Sequence, residues 1–149
     1  MLDLAIHEAG HVIFMFLGEY MGIAGGSIFQ CLVPLLCIFV FLKQRDYFAM
    51  SFCLAWFGIN LFDVAIYVAD APVHRLPLVS PFGFGEPPLH DWQYLLGRQN
   101  FGYARHIANG LRVAGTISML FFLVTGSLMV WKMFLTRKQQ AEREHVPED

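Results

Sequence analysis

The chain has 149 residues, which suits one domain and is short for several. Hydrophobic residues make up 56% and charged residues 15%, against ~25% charged in ordinary soluble domains, and with 15 Phe this points to an integral membrane protein in a lipid bilayer. A net charge of -2 gives no reason to expect a nucleic-acid partner, and Cys31, Cys37 and Cys53 follow no metal or disulfide spacing.

Four hydrophobic stretches predict an all-α, polytopic membrane protein with four transmembrane helices. Crossing the hydrocarbon takes ~20 helical residues. The first stretch runs from about Leu2 to Ile23, and Asp3, His7, Glu8 and His11 interrupt it. Those breaks do not fit a signal peptide, so this helix is expected to be retained. "GIAGG" (22–26) follows as a flexible turn. The second stretch, about Ser27 to Leu42, contains Pro34, which is expected to kink it. "KQRD" (43–46) reads as a short charged loop, and the third stretch runs from about Phe48 to Ala69. A long Pro-rich segment separates it from the fourth, about Val113 to Leu135. Within that segment "DWQYLLG" reads as a short helix. Residues 1–135 thus form one transmembrane domain, and 136–149 form a polar tail that frays into water.

Lys43, Arg45, Lys132, Arg137, Lys138 and Arg143 fall on one side of this arrangement. The positive-inside tendency makes that side cytoplasmic, with both chain termini.

The chemistry lies in "IHEAGHVIF" (6–14), which holds H-E-x-x-H. Two His four residues apart share one helix face and can converge on a zinc ion. The Glu beside them can take a proton from a water activated at the metal. His7 and His11 are then ligands and Glu8 the general base. Ionisable groups in an apolar helix default to function, because burying them without a role is costly. The longer pattern H-E-x-x-H-x-x-G-x-x-H is absent, since Phe14 and Leu17 stand at its further positions.

A third ligand must come from elsewhere. At 1.5 Å per residue, His7 and His11 lie ~9 and ~15 Å along a helix that begins at Met1. Asp63 lies ~22 Å and Asp70 ~33 Å along a third helix that starts near Phe48 on the same side. Asp63 is nearer the right depth. Asp91, in "EPPLHDW", reaches the histidines only if the Pro-rich segment folds back between the helices, which is allowed where protein buries it.

An H-E-x-x-H in a membrane helix, followed by two more spans and an Asp in a Pro-rich context, resembles the site-2-type intramembrane zinc metalloproteases. The segment "HEAGHVIFMFLGEYMGIAGGSIFQCLVP" also looks like small bacterial membrane proteins grouped with that family. The resemblance covers roughly residues 1 to 97, with "HEAGH" its one specific match. It implies a zinc endopeptidase of the bacterial inner membrane whose substrates are membrane proteins or peptides. It also implies an Asp ligand in an Asn-x-x-Pro…Leu-Asp-Gly pattern, which this chain lacks. By context Asp91 comes closest, with Asp70, Asp63 and His90 as alternatives. The resemblance further suggests Asn60, Gly25 and Gly26 as substrate contacts, although Asn60 equally suits an interhelical hydrogen bond and the glycines a turn. Two other readings remain: a non-catalytic zinc-binding partner or regulator, and a small transporter component. The sequence sets no oligomeric state.

Overall fold

The computed structural model describes residues 2–76 and 90–144. Five α-helices follow in chain order: α1 (Leu2–Phe14), α2 (Glu19–Gln44), α3 (Tyr47–Asp70), α4 (Asp91–Leu96) and α5 (Phe101–Glu144). Short 3-10 turns, Met15–Leu17 and Arg98–Asn100, precede α2 and α5. Among the described residues there is no strand. The bulk of the Pro-rich segment, 77–89, lies outside the described residues.

Three helices, α2, α3 and α5 with its preceding turn, are long and apolar enough to cross a membrane. The sequence suggests four, with the first ending near Ile23. Instead the chain turns at Gly18, and α1 has 13 residues, ~20 Å, short of the ~30 Å hydrocarbon core. Gly18 has φ 101° and ψ 165°, a conformation that only glycine adopts readily. "GIAGG" is therefore not a turn but part of α2. Its glycines serve packing, since a Cβ on Gly25 would sit 2.5 Å from the Gly10 carbonyl oxygen of α1. Small residues let two helix backbones approach this closely.

α1 folds back antiparallel along the first half of α2. His11 meets Gly22, Gly10 meets Gly25 and His7 meets Gln30, so one number falls as the other rises. α2 ends at Arg45, whose left-handed backbone (φ 60°) lets the Arg45 and Asp46 N–H groups donate to the last carbonyls. Asp46 then caps α3 by accepting from the Ala49 N–H at 3.0 Å. α3 and α5 pack through Val64, Ala65, Val68, Ala104 and Ala108, all buried. Further along, Gly58 and Gly115 abut, and the Ser118 hydroxyl donates to the Leu54 carbonyl at 2.7 Å.

α5 continues as helix past the expected boundary at 135, through Thr136 to Glu144. Leu120, Phe121, Leu123, Val124 and Val130 on this helix are all exposed. That outward apolar surface suits lipid contact.

Candidate metal centre

His7 and His11 stand one turn apart on α1, with ring centroids 4.9 Å apart. Both Nε2 atoms face one oxygen of Asp91. The Asp91 Oδ2 atom lies 3.1 Å from His7 Nε2 and 3.3 Å from His11 Nε2. Among the described residues this is the one group of three or more His, Cys, Asp or Glu whose ligand atoms gather closely enough to hold a metal ion.

The second ring nitrogen of each histidine is held by α2. His7 Nδ1 lies 3.0 Å from Gln30 Oε1, and His11 Nδ1 lies 2.9 Å from the Gly22 carbonyl oxygen. Both acceptors lack a proton in those positions, so each Nδ1 carries the hydrogen and donates it. Each Nε2 then presents a lone pair to the centre. Histidine metal ligands are held by this kind of outer hydrogen bond. Two lone pairs and a carboxylate oxygen at one point repel unless a cation or proton sits among them.

α2 also supplies the space. A Cβ on Gly26 would lie 2.5 Å from His7 Nε2 and 2.6 Å from His11 Nε2. Gly26 therefore leaves open the volume in which the ligand atoms converge. Gly25 faces the α1 backbone instead.

Asp91 is the first residue of α4, which packs in the fold by three ties. The Trp92 indole N–H donates to Ser27 Oγ at 3.1 Å. The Asp91 N–H donates to the Tyr67 hydroxyl oxygen at 3.1 Å. Trp92 and Leu96 rest on the α3–α5 core. Asp91 is buried, and its Oδ2 is the atom that both histidines face.

The other candidates go elsewhere. Asp70 accepts from the Arg75 and Leu76 N–H groups at 2.9 and 3.1 Å, closing the turn after α3. His90 is buried, with Nε2 3.5 Å from Asp70 Oδ2, and its ring stacks between Tyr67 and His74. Asp63 is exposed on α3. Asn60 is fully buried and donates from Nδ2 to the Trp56 carbonyl at 2.9 Å and to Asp3 Oδ1 at 3.4 Å, tying α3 to α1. Glu8, half-buried, follows His7 directly, close enough that its charge acts on His11.

A scan against protein-family models, a search of curated proteins and a search of solved structures each returned no match. The likeness to site-2-type proteases therefore rests on the residues of the motif.

Sequence reasoning passed over Gln30, Gly22 and Tyr67. Gln30 carried a usable signal, as an uncharged polar residue in an otherwise apolar helix. Gly22 acts through its backbone carbonyl, which no side-chain pattern reveals.

Proposed function

We propose that this protein is a zinc metalloendopeptidase that cuts membrane-protein or peptide substrates within the bilayer. The observation that supports this most is the convergence of two Nε2 atoms and one carboxylate oxygen, with both Nδ1 atoms pinned. Two nitrogens and one oxygen form a donor set that suits zinc and leaves a fourth position free. His7, His11 and Asp91 would hold the ion. Zinc bound there would acidify a water and polarise a carbonyl.

The protein's own groups supply the rest. Gln30 and the Gly22 carbonyl keep the imidazoles in the tautomer that leaves Nε2 free. Glu8 takes the proton of the attacking water and returns it to the leaving amine. Asp91 compensates positive charge in a buried setting.

In this reading α2, α3 and α5 cross the bacterial inner membrane, and α1 is a half-length helix embedded beside α2. The basic end, with Lys43, Arg45, Lys132 and Arg137, faces the cytoplasm. Gly26 lies seven residues into α2, so the centre sits ~10 Å below the opposite rim. Water and an unwound peptide enter from that rim.

The test is metal content together with a Glu8→Gln variant. Purified wild type should hold one zinc, and His7→Ala, His11→Ala and Asp91→Ala should each lose it. Glu8→Gln should keep zinc and lose peptide cleavage. Retention of the biological activity in Glu8→Gln would refute catalysis and leave a zinc-binding partner or regulator.

A further inference from the structure

Asp91 arrives from far along the chain on a helix of six residues, Asp91–Leu96. So short a helix does not hold its own first residue in place. Its first-turn N–H groups also lack partners within the helix. One side chain on α3 meets that need. The Tyr67 hydroxyl oxygen accepts the Asp91 N–H at 3.1 Å.

Tyr67 touches more of the centre than this one atom. Its ring meets the His7 ring edge-on, with centroids 6.0 Å apart at 70°. It stacks on His90, the residue before Asp91, with centroids 4.4 Å apart at 24°. The His90 ring is buried, held by stacking between Tyr67 and His74 and by Asp70 Oδ2 at 3.5 Å from its Nε2. Tyr67 thus contacts ligands that come from α1 and from α4, while it stands on neither. Because its oxygen already accepts from a backbone N–H, its own hydrogen is free to donate. The contact that the hydroxyl makes with Asp91 is with its backbone, at the residue whose carboxylate faces both histidines.

We infer that Tyr67 is a positioning residue of the metal centre: its hydroxyl fixes the Asp91 backbone, and through it the place from which the carboxylate presents Oδ2 to the two histidines. This rests on the metal-centre reading above. The hydroxyl does not touch the reacting atoms. It acts through Asp91, and ordered partners of this kind set metal affinity by about 10–100-fold.

The experiment uses the full chain in detergent or nanodiscs. Zinc affinity is measured by competition with a chromophoric chelator, and ligand geometry by the visible spectrum of the cobalt(II) form. Tyr67→Phe keeps the ring, its contact with His7 and its stack on His90, and removes the hydroxyl alone. It should weaken zinc binding about 10–100-fold and alter the cobalt spectrum as Asp91 reorients. Ser27→Ala cuts the other polar tie of α4, to Trp92, and should leave the spectrum as in wild type. Placing 3-fluorotyrosine at 67 retains the fold and hydroxyl but makes the oxygen a poorer acceptor. It should give a smaller loss in the same direction, and it decides the matter if Tyr67→Phe fails to fold. Wild-type affinity and spectrum in Tyr67→Phe would overturn the inference. So would an equal spectral change in Ser27→Ala, since α4 docking in general would then be responsible. A wild type that takes up neither zinc nor cobalt would overturn the metal reading itself, an outcome seen before any variant is compared.

Discussion

A methyl group at position 26 would fill the space toward which both imidazoles point. Gly26→Ala should therefore lose zinc by at least the ~10–100-fold expected of a disturbed ligand shell, while helicity by circular dichroism stays as in wild type. Alanine is the better helix former, so lost binding with unchanged or higher helix content separates a blocked site from a broken fold. Protons also compete for the same nitrogens. Zinc affinity should therefore fall as pH is lowered, because the ligand nitrogens must be unprotonated to bind metal. Chelator competition at stepped pH measures this. At this scale the sequence reveals His7, Glu8 and His11, because side chains four apart on a helix must share a face. It gives only context for choosing between Asp91, Asp70 and Asp63, because which acid reaches the histidines depends on how residues 71–90 return. Gly26 was visible as a residue but not as a space.

The helices themselves are legible where hydropathy and length coincide. The third stretch, read as Phe48 to Ala69, is the helix Tyr47–Asp70, which Asp46 caps. The helix read into "DWQYLLG" is α4, Asp91–Leu96. The first turn was misread because glycine has two uses. At 22–26 the glycines lie within α2, where Gly25 lets the α1 backbone approach and Gly26 leaves room for the two imidazoles, whereas the lone Gly18 makes the turn. A Cβ at Gly18 would meet nothing within 4 Å, so the cost of Gly18→Ala is one of backbone conformation alone. It should destabilise the α1–α2 hairpin by about 1–3 kcal/mol. Because α1 carries two ligands, zinc should be lost at lower denaturant concentration than in wild type, before α3 and α5 separate. Zinc release and tryptophan fluorescence followed in one titration would show the order.

For the molecule as a whole, in the proposed membrane reading the three long helices set the depth of the centre. Glu19, at the start of α2, and Asp70, at the end of α3, mark one rim, and Lys43 and Arg45 mark the other. The ligands gather within about two turns of the Glu19 rim. In sealed vesicles of known orientation, a membrane-impermeant chelator should strip zinc only when added on the Glu19 side. Equal stripping from the Lys43 side would place the entrance at the opposite rim. Composition alone already indicated a membrane protein. Where the centre lies along the helices was not readable, because it follows from the fold-back at Gly18.

The separation of 84 residues between His7 and Asp91 has a consequence for biosynthesis. The histidine pair leaves the ribosome early, and its partner carboxylate only after α2 and α3 have been made. Throughout that interval a nascent chain would carry two of the proposed ligands and no third, and would bind zinc weakly. In the protease reading, activity would switch on only when α4 docks, and the order of synthesis would delay the cutting of neighbouring chains during insertion.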